Sequence, residues 1–216
     1  MELAPLAVLA ALVGGYLLGS IPFGVLVTRS AGVGDVRQIG SGNIGATNVL
    51  RTGRRDLALL TLLGDGGKGA VAVLIARGLI GFDAPGSLAM GAIAGGAAFL
   101  GHLFPVWLKF KGGKGVATFF GILFAAAWPV GIACALAWLA MAALFRFSSL
   151  AALTAAALAA VWAFLLHAGL PVIYLAVFTA VLIFVRHREN IARLTAGTEP
   201  RIGAGKGAPA PPAGRA

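Results

Sequence analysis

Charged side chains are scarce in this sequence. They make up 11% of its 216 residues, whereas a soluble domain carries about 25%. Hydrophobic residues reach 59% and the mean hydropathy is +0.94. This composition excludes an ordinary soluble domain and predicts an integral membrane protein.

Cysteine and carboxylate side chains are also rare, which narrows the chemistry. Cys134 is the single cysteine and lies in an apolar run, so neither an intramolecular disulfide nor a thiolate metal cluster can form. The seven acidic residues include no pair with the spacing of a two-metal site or of a glycosidase. We therefore expect no metal and no cofactor, and a site built from cations, amides, hydroxyls and backbone N–H groups.

Long apolar runs predict the transmembrane helices, since about 20 apolar residues cross a bilayer as a helix. The run at 116–145 is too long for one span and contains the turn signal Trp128-Pro129, so it predicts two short helices. The predicted spans are Leu3–Val27, Leu57–Ile80, Ser87–Trp107, two within Val116–Phe145, Ser149–Leu166 and Leu170–Val185.

The predicted fold class is therefore all-α and integral to the membrane, a polytopic bundle of about seven transmembrane helices, some short or broken. We expect a break, or a wet cavity, in the second span, because Asp65 and Lys68 would place charges at membrane depth. Residues 1–202 would form a single transmembrane catalytic domain. Residues 203–216, rich in Gly, Ala and Pro, would form a disordered cytoplasmic tail.

The 17 Lys and Arg residues indicate the orientation. Nearly all lie after the first, third, fifth and seventh predicted spans, so the positive-inside rule places the N-terminus outside and the C-terminus in the cytoplasm. A net charge of +10 can indicate nucleic-acid binding. Here the basic residues are scattered among apolar runs rather than gathered on one soluble face, so we expect no nucleic-acid partner.

The first basic loop contains a polar, glycine-dense stretch from Gly40 to Arg51. Glycines allow the backbone to approach a ligand closely, short polar side chains donate hydrogen bonds, and Arg51 adds a planar cation, a combination that suits phosphate. The stretch also matches a dinucleotide fingerprint, but no strand pattern precedes it. Its candidate ligands are Gly40, Ser41, Gly42, Asn43, Thr47, Asn48 and Arg51.

Two further basic segments are candidate ligand sites. The loop Lys109–Gly115 is similar to a nucleotide P-loop but has no Ser or Thr after Lys114 to hold magnesium, so it predicts phosphate binding without ATP hydrolysis. In the last segment, His187 and Asn190 are three residues apart and would share a helix face. The alternative for that segment is a solvated charge cluster that binds anionic lipid headgroups.

Six ordered motifs resemble the bacterial membrane acyl-phosphate:glycerol-3-phosphate acyltransferase family. The match covers the chain from about Gly19 to Ile202, with the motifs in order and at family-like spacings. One departure is Asp65-Gly66-Gly67-Lys68, where the family usually has a bulkier apolar residue before the lysine. The motifs are Gly19–Gly24, Gly40–Arg51, Leu60–Asp65, Gly101–Pro105, Lys109–Thr118 and His187–Ile191.

The resemblance implies transfer of a fatty acyl group from acyl phosphate to glycerol 3-phosphate, giving lysophosphatidic acid and phosphate without direct use of CoA or acyl carrier protein. It also implies an inner-membrane protein with its active site on the cytoplasmic face, in contact with the lipid bilayer. By the family's motifs, the catalytic residues fall on Ser41, Arg51, His187 and Asn190, the glycerol 3-phosphate loop on Gly112, Gly113 and Gly115, and a structural acid on Glu189.

The chemistry of the residues agrees with these roles, because acyl phosphate is already activated and mainly needs positioning and charge neutralisation. Arg51 would neutralise the leaving phosphate, and Ser41 would bind rather than react covalently, since no base lies near it in sequence. The lysines expected to attract glycerol 3-phosphate are Lys109, Lys111 and Lys114. A transporter of an organic phosphate and a non-catalytic lipid-binding protein are the alternatives.

Overall fold

The computed structural model describes residues 4–203, and these fold into ten α-helices joined by turns and short 3-10 segments. Residues 204–216, which hold most of the predicted tail, lie outside the described part of the chain. The helices are α1 (Pro5–Gly19), α2 (Phe23–Ser30), α3 (Ala46–Val49), α4 (Arg55–Ile80), α5 (Ser87–Leu103), α6 (Val116–Ala126), α7 (Trp128–Phe145), α8 (Ser148–Leu165), α9 (Leu170–Arg186) and α10 (Arg188–Thr195).

The chain is a multi-pass integral membrane protein. Within the described residues, five helical segments are long and apolar enough to cross a membrane, or six if the bent pair of α9 and α10 counts as one span. Each of the predicted apolar segments is helical, but α6 has only 11 residues, about 16 Å of helix. The predicted count of seven spans, and the orientation derived from it, are therefore not confirmed.

Small residues let α1 pack closely on α5. A Cβ added to Gly19 would collide with the backbone of Ala98, and one added to Gly15 would collide with that of Ala94. After Gly19 the helix breaks at Ser20–Pro22, because Pro22 cannot continue the hydrogen-bond ladder, and α2 then begins. Small-residue contacts of this kind are the usual basis of helix packing in membranes.

The expected break at Asp65–Lys68 is wrong, since α4 is one continuous helix of 26 residues. Both side chains are buried, and Lys68 Nζ lies 3.0 Å from Asp65 Oδ1. The ammonium also donates a 2.8 Å hydrogen bond to the backbone oxygen of Ile21, at the break between α1 and α2. The two charges compensate each other inside the bundle, so the backbone does not need to open to water.

The predicted division of the 116–145 run is confirmed. Helices α6 and α7 meet at Ala127, which has an extended backbone (φ −155°, ψ 86°), and Pro129 lies in the first turn of α7. Arg77 Nη1 donates to the backbone oxygens of Ala125 and Ala126 at 3.3 and 3.4 Å. The arginine thereby satisfies carbonyl groups that the end of α6 leaves free.

The basic segments meet at one end of the bundle. We call Lys109–Gly115 the glycine loop. Leu108, directly before it, packs against the apolar cluster that underlies the Gly40–Arg51 loop. The glycine loop in turn contacts the junction of α9 and α10 through Arg186. The segment that follows α10 returns to the α7–α8 corner, where Ile202 N donates to the backbone oxygen of Arg146 at 2.6 Å.

Candidate active site

The Gly40–Arg51 loop is organised around one buried side chain, Asn48, which is 2% exposed. Its Nδ2 group donates to the backbone oxygens of Val36, Ile39 and Asn43 at 2.9, 2.8 and 2.8 Å. Its Oδ1 atom accepts from the backbone N–H of Ser41 at 3.0 Å. The amide is thus engaged at both ends and shapes the loop, while its expected contact with a ligand stays a prediction.

The predicted reactive groups of this loop lie at its surface. Ser41, Thr47 and Arg51 are exposed, and Ser41 Oγ lies 3.3 Å from Asn48 Oδ1. Arg51 crosses directly over Gly40, because a Cβ added to Gly40 would lie 2.9 Å from Arg51 Nη1. Gly40 has φ +55°, a left-handed conformation that glycine adopts without strain. Ser41 and Arg51 are therefore held side by side, open to a ligand.

Asp35 anchors the start of this loop. Its carboxylate accepts from Arg37 Nη2 at 2.6 Å and from Arg29 Nη2 at 2.7 Å, and also from the backbone N–H of Arg37. The hydrogen bonds from Arg37, and then that from Arg29, hold the pKa of Asp35 well below its usual range. The two arginines are thereby occupied by a carboxylate, whereas Arg51 remains exposed.

The glycine loop is built onto the C-terminal end of α5. The N–H groups of Gly112 and Gly113 donate to the backbone oxygens of Leu103 and His102, both at 3.1 Å. A Cβ added to Gly113 would overlap the ring of His102. These two glycines therefore let the loop fold tightly onto α5, and their N–H groups are already engaged in that contact.

Arg186, at the end of α9, holds the loop from the other side. Its Nη2 donates to the backbone oxygen of Gly112 at 2.8 Å and its Nε to that of Gly113 at 3.1 Å. The guanidinium also stacks on the Phe104 ring, with 5.6 Å between Cζ and the centroid. With its backbone fixed on both sides, the loop presents Lys114 in a defined position. Lys109 and Lys111 are exposed.

His187 and Asn190 lie at the junction of α9 and α10, where the axis bends by 62°. Both are buried, at 3% and 7% exposure. His187 Nδ1 lies 2.8 Å from the backbone oxygen of Ile183. Since a carbonyl oxygen can only accept, Nδ1 carries the proton of the neutral ring and Nε2 is left as an acceptor.

Asn190 connects the glycine loop with a carboxylate that sequence reasoning missed. Lys114 Nζ donates to Asn190 Oδ1, and Asn190 Nδ2 donates to Glu199 Oε1 at 2.6 Å. The acid also accepts from Ser149 Oγ at 2.6 Å and from Arg193 Nε at 2.7 Å. A donor on one side and an acceptor on the other fix which way the Asn190 amide points.

Charges in this group alter one another's proton affinity. Burial lowers the pKa of Lys114, and the neighbouring Arg193 adds to that effect by repulsion. For Glu199, burial acts to raise the pKa, but the hydrogen bonds from Ser149, Asn190 and Arg193 outweigh it and hold the pKa below its usual value. Glu199 is therefore an ionised carboxylate that accepts hydrogen bonds from three residues of the site.

The expected structural acid, Glu189, lies elsewhere. It is exposed on α10, whereas Glu199 is largely buried and contacts three residues on α8 and α10. The signal for Glu199 in the sequence was its rarity, as one of only seven acidic residues. Within residues 4–203 no group of three or more His, Cys, Asp and Glu side chains could hold a metal ion.

Fold and site together define a multi-pass helical membrane protein that presents cations, amides and hydroxyls at one end of its bundle, a chemistry suited to phosphate esters. The family model described as glycerol-3-phosphate acyltransferase matches residues 9–197, and the chain belongs to this family.

Relatives in several bacteria support this assignment. The chain is 66% identical to the glycerol-3-phosphate acyltransferase of Caulobacter vibrioides, with 98% of this chain and 97% of the relative covered. It is 61% identical to that of Cereibacter sphaeroides, with 94% and 93% covered. For Paramagnetospirillum magneticum the identity is 60%, with 93% and 96% covered.

Two solved structures share the fold. Both are of PlsY, an integral membrane glycerol 3-phosphate acyltransferase, one in its glycerol 3-phosphate form and one in its lysophosphatidic acid form. The first superposes with a TM-score of 0.83 at 40% identity and covers 91% of this chain and 96% of its own. The second gives 0.82 at 39% identity, with 91% and 95% covered.

Proposed function

We propose that this protein transfers a fatty acyl group from acyl phosphate to a hydroxyl of glycerol 3-phosphate, giving lysophosphatidic acid and inorganic phosphate. The names of its relatives support glycerol 3-phosphate as the acceptor, since the similar PlsY structures are a glycerol 3-phosphate form and a lysophosphatidic acid form. The acyl phosphate donor rests on the resemblance of the motifs and on the chemistry of the site.

One observation carries the proposal. Ser41 and Arg51 are exposed on a loop whose apolar base contacts Leu108, directly before the glycine loop. Lys114 of the glycine loop donates a hydrogen bond to Asn190. Two cationic centres on adjoining loops suit two phosphate-bearing substrates. Arg51 would bind the leaving phosphate of the donor, and Lys114 the phosphate of the acceptor.

The reaction balances without a cofactor. The glycerol hydroxyl oxygen attacks the acyl carbonyl carbon, the bond from that carbon to the phosphate oxygen breaks, and phosphate leaves with the electron pair. The hydroxyl proton passes to a phosphate oxygen or to Nε2 of His187, the ring nitrogen left as acceptor. Positioning of the two substrates supplies most of the acceleration, because the mixed anhydride already has a good leaving group.

The test is a donor comparison with purified protein in detergent. Acyl phosphate, acyl-CoA and acyl-acyl carrier protein are each supplied with glycerol 3-phosphate, and lysophosphatidic acid and free phosphate are measured. Of the three donors, we expect only acyl phosphate to give lysophosphatidic acid, together with an equal amount of free phosphate. Product from acyl-CoA but not from acyl phosphate would refute the donor assignment. Binding or uptake of glycerol 3-phosphate with no product from any donor would favour a transporter instead.

The site is also proposed to face the cytoplasm, with the N-terminus outside the inner membrane. Cys134 is buried, so cysteines introduced at exposed positions can be labelled against a low background. Thr195→Cys, at the site end, should be protected from an impermeant maleimide in intact spheroplasts, and Phe82→Cys, in the α4–α5 turn, should be labelled. Labelling of Thr195→Cys with protection of Phe82→Cys would show that the orientation is opposite to the one proposed.

A further inference from the structure

A buried group of three ionisable residues lies beneath the glycine loop. We call Asp65, Lys68 and His102 the buried triad; their side chains are 1%, 1% and 3% exposed. Lys68 Nζ lies 3.0 Å and His102 Nδ1 3.5 Å from the same oxygen, Asp65 Oδ1. Burying such groups in an apolar bundle is costly, so their presence there points to a role beyond stability.

The triad contacts both ends of the glycine loop. Ahead of Lys114, the backbone oxygen of His102 accepts from Gly113 N at 3.1 Å, and the His102 ring lies directly against Gly113. After the loop, Thr118 Oγ1 donates to the backbone oxygen of Asp65 at 2.8 Å. Contacts on either side of Lys114 therefore set its position. One is made by Asp65 itself, and the other by His102, whose ring contacts Asp65.

The triad also reaches the other half of the site. Lys68 donates to the backbone oxygen of Ile21, where the chain turns from α1 into α2. In α2, Gly24 packs so closely on the backbone oxygen of Ile44 that a Cβ would collide with it. Ile44 belongs to the Gly40–Arg51 loop, so one ion pair is linked to both ligand loops, through Ile21 and α2 on one side and through His102 and Thr118 on the other.

We propose that Asp65, Lys68 and His102 are positioning residues that hold the glycine loop and the Gly40–Arg51 loop in register for the two substrates. They do not touch either substrate. The proposal rests on the proposed function for the identity of those substrates. His102 acts on the glycine loop, whereas the Asp65–Lys68 pair acts on both loops, and this division makes the proposal specific.

The first experiment separates the polar contact of His102 from its packing. His102→Phe keeps a ring under Gly113 but loses Nδ1, and His102→Gln restores an N–H group. We expect His102→Phe to raise the KM for glycerol 3-phosphate about tenfold, with the KM for acyl phosphate and kcat within about twofold, and His102→Gln to recover most of that loss. Unchanged KM values, or equal losses in both variants, would overturn the proposal.

The matched control is Thr179→Val, which replaces a buried polar residue of α9 whose hydroxyl bonds only within its own helix, to Leu175 and Ala176. If this variant raises the same KM as His102→Phe, the effect is general destabilisation and the proposal fails. If wild-type protein gives no product from acyl phosphate, the proposed function has failed, and the same comparison is made by calorimetric binding of glycerol 3-phosphate.

The second experiment removes both charges together, since Asp65→Asn with Lys68→Met avoids leaving one buried charge unpaired. We expect a folded protein in which the KM values for both substrates rise. A folded double variant with either KM unchanged would contradict the link between the loops. Hydrogen exchange of wild-type protein needs no variant: the amides of Gly112 and Gly113 should exchange as slowly as core helix amides, and fast exchange would refute the proposal.

Discussion

The two halves of the candidate site are held together in different ways. The Gly40–Arg51 loop is closed by residues near it in the chain, since Asn48 bonds partners only 5 to 12 positions away. The half around Lys114 is assembled over long distances in the chain. Lys114 meets Asn190 across 76 positions, and Arg186 reaches Gly112 across 74.

This difference implies different kinds of failure. A local loop with an exposed cation can lose its ligand contact and leave the bundle intact. A site assembled from α5, α8, α9 and α10 cannot lose a central contact without loosening the helices that supply it. Loss of an exposed ligand group in the first half should therefore lower activity without lowering stability, whereas loss of a central contact in the second half should lower both.

The largest effect is expected from Arg51→Ala. Arg51 is exposed and lies over Gly40, so its loss should leave the melting temperature unchanged. Removal of a charge-stabilising donor typically costs about 10²- to 10³-fold in rate, and we expect kcat/KM to fall by that amount. Arg54→Ala is the control, because Arg54 is an exposed arginine of the same region that pairs with Asp56; its activity should stay within about twofold of wild type. Equal losses in both variants would mean that general positive charge, not Arg51, supports the reaction.

The next effect tests whether the first half is closed by Asn48. In Asn48→Asp, an oxygen would face three carbonyl oxygens that Nδ2 now satisfies. We expect unfolding free energy to fall by about 2 kcal/mol or more. Asn43→Asp is matched to it, because Asn43 uses its Oδ1 to accept from Gly45 N, an atom that aspartate keeps. Thermal unfolding of the two variants should differ clearly, and equal stability would show that Asn48 is not the centre of the loop.

The second half is tested by Glu199→Gln beside Glu189→Gln. The first change weakens a buried hub that accepts from Ser149, Asn190 and Arg193. We expect a lower melting temperature and a KM for glycerol 3-phosphate raised about tenfold, since the Asn190 amide loses its fixed direction. The second change alters an exposed side chain and should be nearly neutral. A severe loss in Glu189→Gln with a silent Glu199→Gln would restore the sequence-based assignment of the structural acid.

The contrast between the halves also explains what the sequence could predict. Glycines with short polar residues and an arginine within twelve positions predict a phosphate loop, and the prediction needs only local sequence because all these residues are neighbours in the chain. The apolar runs likewise predicted where helices lie, including the division near Trp128 and Pro129, because hydropathy and turn signals are local properties.

Contacts between residues that lie far apart in the sequence could not be predicted from local patterns. Asp65 and Lys68 indicated a broken helix because two of their contacts lie far away in the sequence, at Ile21 in the α1–α2 break and at His102 in α5. The family motif assigns the structural acid to Glu189, beside Asn190 in the sequence, and nothing in that motif indicates Glu199. Only the fold shows that the chain after α10 turns back and brings Glu199 to the Asn190 amide.

The smallest expected effect concerns acid stability, and it compares one carboxylate from each half. Asp35 and Glu199 both have pKa values lowered in the folded protein. Between its folded and unfolded pKa values, each carboxyl group binds more protons in the unfolded chain. Its contribution to stability is therefore fully present above the unfolded pKa of about 4 and is lost as the pH falls through the folded pKa. Melting temperatures measured between pH 6 and pH 3 should fall less steeply in Asp35→Asn and in Glu199→Gln than in wild type. Because the pH dependence that a carboxylate contributes grows with the lowering of its folded pKa, and that lowering is large for Asp35, we expect the flatter curve in Asp35→Asn. A flatter curve in Glu199→Gln would mean that the long-range assembly, not the local loop, limits stability in acid.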